Sequence, residues 1–121
     1  MRQILPDFLS FISPRNKDVK TTIFDEINFK SYKELYRYKE LIKLRRDKKI
    51  TLLGVHPAFL VLNEFKDNQG KTHKAINYEP SFAYSKKGKK VVEDLKTKNE
   101  AHEIKKKLFF FIYTDVEYRE I

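Results

Sequence analysis

The feature that most restricts the fold is a well-marked helix near the start of the chain. Ser31-Tyr32-Lys33-Glu34 fits a capping box, in which a serine oxygen and a glutamate satisfy amides that a helix leaves without partners. After this box the helical pattern continues to about Asp47. Its mostly apolar positions recur at helical spacing and are Leu35, Tyr38, Leu41 and Ile42. Such a stripe must be buried against elements that the rest of the chain supplies.

Strand patterns fill most of the chain after this helix. The predicted strands, separated by turns, cover residues 50–54, 57–65, 72–84, 90–96 and 116–121. Pro80 inside the long third strand has no amide to donate, which predicts a bend or bulge there. Residues 21–29, before the helix, fit either a small hairpin or an extended lead-in.

A second helix over residues 100–110 completes the order, with Ile104, Leu108 and Phe111 predicted on one side. Helix, several strands, helix and strand together predict an α/β (α+β) sandwich with a mixed sheet. A chain of 121 residues suits one compact domain. We expect that domain over residues 21–121, preceded by an arm over residues 1–20 that packs on it or on a second subunit.

The charge balance narrows the class of partner. Lys and Arg number 26 against 17 Asp and Glu, a formal net charge of +9, and such a surplus attracts DNA, RNA or anionic membrane. No run approaches the roughly 18 apolar residues of a membrane-spanning helix. Cys is absent, which excludes disulfides and thiolate metal sites. We therefore expect a cytoplasmic protein without a membrane partner.

One short segment carries a pattern associated with catalysis. In Val91-Val92-Glu93-Asp94-Leu95-Lys96, a strand would project Asp94 and Lys96 to the same side. Such a pair can hold a divalent cation and place an ammonium beside the water or phosphate at that cation, which suits phosphodiester cleavage. Alone, Asp-x-Lys is more often a surface ion pair on an edge strand. The neighbouring segment favours the catalytic interpretation, because a hairpin would bring Ser81 close to Asp94.

Several segments occur in a characteristic order along residues 23–121. They are Ser31-Tyr32-Lys33-Glu34 with Arg37-Tyr38, His56-Pro57-Ala58-Phe59, Tyr78, Phe82, Val92-Glu93-Asp94-Leu95-Lys96 and Lys105-Lys106-Lys107-Leu108-Phe109. Their order and spacing resemble a small phage family of unknown function that is grouped with PD-(D/E)XK nucleases and Holliday-junction resolvases. The resemblance implies a restriction-endonuclease-like core, with a mixed β-sheet flanked by helices.

The resemblance also implies a metal site. It makes Glu34 a metal-proximal carboxylate and Asp94 a ligand of Mg²⁺ or Mn²⁺, joined by the backbone carbonyl of Leu95. Lys96 would be the lysine that polarises or orients the attacking water. Glu34 also fits a purely structural role in the capping box, and the two roles can coexist.

Position 81 departs from the family pattern, which has aspartate directly after Pro80. Ser81 offers a neutral oxygen, a poor ligand for a hard cation. Three explanations stay open. Ser81 is a deliberate substitution that traps a metal-poor or DNA-bound form, or cleavage was lost naturally while binding was kept, or Glu79 took over as the ligand.

Lysine-rich segments are the candidate DNA contacts. The resemblance places Lys105 near the scissile phosphate, and the net charge of +9 favours phosphate contact by Lys106 and by Lys87 and Lys89 as well. Plain solvated faces are the alternative for both segments. Of the histidines, His56 stands where the family usually has a polar residue and its role stays open, whereas His73 and His102 are given no function.

The resemblance and the charge together predict a metal-dependent endonuclease acting on branched or structured phage DNA, impaired by Ser81. Resolving a four-way junction takes two symmetric cuts, so a homodimer is expected. Two alternatives stay open. The protein is a DNA-binding module of the same fold that does not cleave, or it is a basic phage factor that binds another protein.

Overall fold

A computed structural model of the chain describes residues 22–121. Its helices are α1 (Tyr32–Arg46) and α2 (Glu100–Ile112). Its strands are β1 (Thr22–Phe24), β2 (Ile27–Phe29), β3 (Thr51–Val55), β4 (Phe59–Leu62), β5 (Phe65–Lys66), β6 (Thr72–His73), β7 (Ile76–Tyr78), β8 (Phe82–Lys86), β9 (Lys89–Asp94) and β10 (Glu117–Glu120). This is a mixed α+β fold, as predicted. The described residues fall into two compact units, residues 22–42 and residues 43–121; the predicted arm over residues 1–20 lies outside the described residues.

In the first unit, the residues before α1 form a hairpin. β1 and β2 pair antiparallel, with Thr22 opposite Phe29. Asp25 and Glu26 both adopt positive φ angles, 54° and 63°, as the two central residues of a tight hairpin turn do. Of the two alternatives for residues 21–29, the hairpin is therefore correct.

The start of α1 is the predicted cap. The Glu34 amide donates to Ser31 Oγ at 3.1 Å, and Glu34 Oε1 accepts from the Lys30 amide at 2.7 Å. Further along α1, the Tyr38 ring lies 4.9 Å from the Phe29 ring, centroid to centroid, and its hydroxyl donates to Asp25 at 2.9 Å. These contacts fasten the helix to the hairpin that precedes it.

The second unit is built on a four-stranded mixed sheet in the order β10-β9-β8-β3. β9 runs parallel to β10, while β8 is antiparallel to both β9 and β3. Lys87 and Gly88 join β8 to β9, with φ angles of 52° and 79°, which again is the geometry of a two-residue hairpin turn. The mixed sheet is confirmed.

Two predicted strands are each divided in the structure. Residues 57–65 form β4 and the start of β5, and residues 72–84 form β6, β7 and most of β8. β7 pairs with β4, whereas β8 pairs with β3 and β9, so the chain changes partner at Glu79-Pro80. The predicted break at Pro80 is confirmed, but the single long strand is wrong, because Pro80 cannot continue a ladder through its missing amide.

The apolar residues of α2 differ widely in how far they are buried. Ile104 and Phe111 are 60% and 80% exposed, whereas Phe109 is buried. The Phe109 ring packs on the rings of Phe59 and Tyr78 at centroid distances of 5.1 and 5.0 Å. Since apolar residues occur on both sides of this helix, contacts with strands distant in sequence decide which side is buried.

The core of the second unit therefore joins α2 to one face of the sheet and to the β4–β7 pair. Its buried members are Val61, Tyr78, Val92 and Phe109. In the part of the chain that the structure describes, no helix is long and apolar enough to cross a membrane.

Candidate functional site at the end of the central sheet

The site predicted from the sequence centres on one end of the central sheet. β8 and β9 pair with Phe82 opposite Glu93, so one further step of this register places Ser81 across from Asp94. On the β3 side, the His56 amide donates to the Ser81 carbonyl at 2.9 Å. On the β10 side, the Ile121 amide donates to the Asp94 carbonyl at 2.8 Å. The β8–β9 hairpin predicted from the sequence is therefore present, and Ser81 and Asp94 are the next residues beyond its Phe82–Glu93 pair.

Asp94 is 2% exposed and its carboxylate is surrounded by donors. Oδ2 accepts a hydrogen bond from the Tyr78 hydroxyl and lies 2.7 Å from His102 Nε2. Oδ1 accepts from the Leu95 amide at 2.9 Å. Because a carboxylate only accepts, His102 Nε2 must carry the hydrogen in this contact. Burial, and then the hydrogen bond to Asp94, raise the pKa of the Tyr78 phenol, which keeps this hydroxyl a donor.

His102, for which no function was predicted from the sequence, is a member of the site. Asn99 caps α2 by accepting from the His102 amide at 3.0 Å, and this cap holds the first helical turn beside the end of β9. A sequence signal for His102 does exist. Asn99 is a typical helix cap, and a cap so soon after the strand that carries Asp94 places the first turn of α2, which includes His102, near the end of that strand.

A second buried carboxylate lies on the opposite face of β9. Glu93 is fully buried, and its Oε2 accepts from the Tyr84 hydroxyl at 2.5 Å. The alternation of β9 is therefore confirmed for Glu93 and Asp94, and both faces of the strand are covered. The sequence placed Glu93 on its face but predicted no partner for it.

Lys96 does not share a strand face with Asp94. β9 ends at Asp94, so the alternation that would align Asp94 with Lys96 stops before it reaches the lysine. Lys96 is exposed and Leu95 is half-buried. The predicted strand over residues 90–96 is therefore two residues too long at its end, and Lys96 lies in the connection between β9 and α2 instead of on the strand.

Glu34, the remaining predicted carboxylate, lies in the first unit on α1. Its side chain is fully buried, and it makes the capping contacts described above. The structural role proposed for Glu34 is thus confirmed, and its role at a metal stays a prediction.

The predicted DNA-contacting lysines differ in how available they are. Lys87 and Lys89 are exposed at the β8–β9 turn, where Lys89 Nζ lies 3.9 Å from Glu117. Lys105 is half-buried on α2. Lys106 is also half-buried, and its Nζ lies 3.1 Å from Glu103 Oε2 and 5.6 Å from the centre of the Tyr118 ring.

The donors at this sheet end do not by themselves fit a hard divalent cation. Asp94 supplies one carboxylate whose two oxygens already accept hydrogen bonds, and Ser81 supplies only neutral oxygens. Among residues 22–121, no three His, Asp or Glu side chains are grouped so that they could hold a metal ion. Mg²⁺ is usually bound through one or two carboxylates in near-octahedral geometry, whereas here a single carboxylate, already hydrogen-bonded through both oxygens, is accompanied by a neutral serine.

Comparison with known proteins gives a family but no activity. Residues 15–121 match a family described as "Protein of unknown function (DUF1064)". No curated protein and no solved structure shows significant similarity to the chain.

Proposed function

The chain belongs to the DUF1064 family, and we propose that this member binds branched or structured DNA through a PD-(D/E)XK-like fold without cleaving it. One observation carries the proposal. Where a nuclease of this fold has two opposed carboxylates, this chain has Ser81 across from Asp94, and Asp94 is buried against Tyr78 and His102. The site therefore keeps one of the two carboxylates that such a catalytic centre would need.

The binding half of the proposal rests on charge. A net charge of +9 attracts the phosphate backbone, and each phosphate contact gains free energy by releasing counterions. Three exposed lysines lie at the two ends of β9: Lys87 in the turn before it, Lys89 at its first position and Lys96 in the connection after it. A homodimer and a place in the bacterial cytoplasm, as a phage protein, remain part of the proposal.

The second candidate is a metal-dependent endonuclease that uses Asp94 and Lys96 with Mg²⁺ or Mn²⁺. The position of Ser81 across from Asp94 favours it, because one substitution at this position would restore two facing carboxylates. The two candidates differ in whether the chain as it stands can bind the metal and cut DNA.

The variant Ser81→Asp separates them. We expect the unchanged chain to bind a four-way junction at low salt and to leave it intact in Mg²⁺ or Mn²⁺. We expect Ser81→Asp to gain Mn²⁺ binding, measured by calorimetry, and nicking of the junction; both gains should disappear when Asp94→Asn is added. Ser85→Asp is the matched control, because Ser85 lies within β8 opposite Lys90, so that this substitution adds the same charge four residues further along the chain.

The outcomes are distinct. Asp94-dependent nicking by the unchanged chain would establish the endonuclease instead. Absence of binding to any DNA at low salt, with the fold intact, would reject both candidates and favour a protein-binding factor.

A further inference from the structure

The strands β4 to β7 form one long interrupted hairpin, residues 59–78. From here on this hairpin is called the arm; it is distinct from the N-terminal arm predicted over residues 1–20. At its base Phe59 pairs with Tyr78, and towards its tip Phe65 pairs with His73. Burial falls along the arm: Val61 and Tyr78 belong to the core, whereas Phe65 is 46% exposed. The arm is therefore anchored at one end and open to solvent at the other.

The turn at the tip of the arm is built around the side chain of Asp67. Asp67 Oδ1 accepts from the amides of Gln69 and Lys71, each at 2.9 Å. Asp67 Oδ2 lies 2.9 Å from His73 Nε2, and the Asp67 amide donates to the Lys71 carbonyl at 2.9 Å. Such a network orders an exposed turn before any partner binds, which lowers the conformational entropy that binding must overcome.

This ordered tip presents an aromatic ring among positive charges. The rings of Phe65 and His73 stack nearly parallel, with centroids 4.9 Å apart and an interplanar angle of 18°. The neighbouring lysines Lys66, Lys71 and Lys74 are all exposed. Both oxygens of Asp67 are used inside the turn, so its negative charge is tied to the tip's own donors.

We infer that the tip, residues 65–74, is a wedge that places Phe65 against an unstacked base of DNA while the flanking lysines contact phosphates. An exposed apolar ring on a narrow two-stranded ribbon can enter a base step, and base–aromatic stacking tolerates any sequence. Lysines on either side suit the two phosphates that border such a step. The inference rests on the proposed function and names the feature of the DNA that is recognised, an unstacked base such as those at a branch point.

The base of the arm ties this wedge to the sheet-end site. Tyr78 ends β7, and its hydroxyl donates to Asp94. Its ring packs on Phe109 of α2. The arm therefore starts at the candidate site, and a wedge at its tip would hold a branch point at a set distance from Asp94.

Phe65→Ala tests the wedge. The substrates are a four-way junction with 2-aminopurine at the branch point and a continuous duplex of the same sequence, both without added metal. We expect Phe65→Ala to bind the junction about tenfold more weakly, in the range of aromatic stacking on one base, and to bind the duplex unchanged. The rise in 2-aminopurine fluorescence that accompanies unstacking should be lost in Phe65→Ala and kept in Phe65→Trp.

Phe111→Ala is the matched control, because Phe111 is the more exposed ring at 80% and lies on α2 outside the arm. It should leave both affinities unchanged. Amide signals of Gln69 and Lys71 report whether the turn survives each substitution. If the unchanged protein binds the junction and Phe65→Ala binds it equally well with the same fluorescence rise, the wedge is rejected while the proposed function stands. If the unchanged protein binds neither DNA, the proposed function fails, and the wedge fails with it.

Discussion

Asp94 shows how one residue can be placed by sequence and yet given a different task by its neighbours. The sequence placed it inside a strand over residues 90–96, whereas β9 ends at Asp94. Its partners Tyr78 and His102 lie sixteen and eight residues away along the chain, and only tertiary contacts bring their donors to its carboxylate. The sequence therefore indicated a charged site at Asp94 but not the hydrogen bonds that fill it.

At this scale we predict that Tyr78→Phe destabilises the protein by about 1–3 kcal/mol, because it leaves a buried carboxylate short of a donor. Urea unfolding followed by circular dichroism measures the change. Tyr113→Phe is the control, since the Tyr113 hydroxyl donates to the Leu60 carbonyl at 2.9 Å in an exposed setting, and it should cost less than Tyr78→Phe. Equal costs for the two variants would contradict a special role for the buried contact.

At the scale of elements, local signals succeeded where a few neighbouring residues decide the structure. The capping box at Ser31 and the proline break at Pro80 are both confirmed. For α2 the sequence predicted which apolar residues share a side but not which side is buried, because apolar residues occur on both sides. The burial of Phe109 depends on the rings of Phe59 and Tyr78, which the arm presents to the helix.

The tip of the arm gives a prediction of pH dependence. The hydrogen bond from His73, followed by those from the Lys71 and Gln69 amides, lowers the pKa of Asp67 below its usual 3.8. Because the folded pKa is depressed, the stabilisation of the turn is complete above pH 3.8 and is lost as pH falls through the folded pKa.

An NMR titration of the Gln69 and Lys71 amides into acid checks this prediction, with an expected midpoint below 3.8. Asp67→Asn should abolish the acid transition while leaving the β8–β9 turn signals unchanged. A midpoint at or above the usual value would show that the turn does not stabilise the ionised carboxylate.

At the scale of the whole molecule, the excess of 26 basic over 17 acidic residues bears on partners rather than on fold. The structure adds which basic side chains are available. Lys71 and Lys74 are exposed on the arm, whereas Lys106 is held by Glu103. The net charge alone does not distinguish the lysines that are available to a partner from those that are not.

We therefore predict that the salt dependence of DNA binding distinguishes these lysines. Plots of log affinity against log salt should become shallower by about 1 for Lys71→Gln, as expected for the loss of one phosphate contact. Lys106→Gln should leave the slope unchanged. Fluorescence anisotropy across a salt series measures both, and a slope change for Lys106→Gln alone would mean that α2, not the arm, holds the backbone.

The sequence by itself determined the features that depend on near neighbours: the capped first helix, the tight turns, the break at Pro80, the mixed α+β class and the placement of Ser81 near Asp94. Tertiary structure alone decided that the predicted strand over residues 72–84 divides between an arm and the central sheet. It also decided that His102 and Tyr78 meet Asp94, and that α2 buries Phe109. The physical reason is that caps and turns are settled by hydrogen bonds within a few residues, whereas partners across a core are chosen by packing among segments distant along the chain.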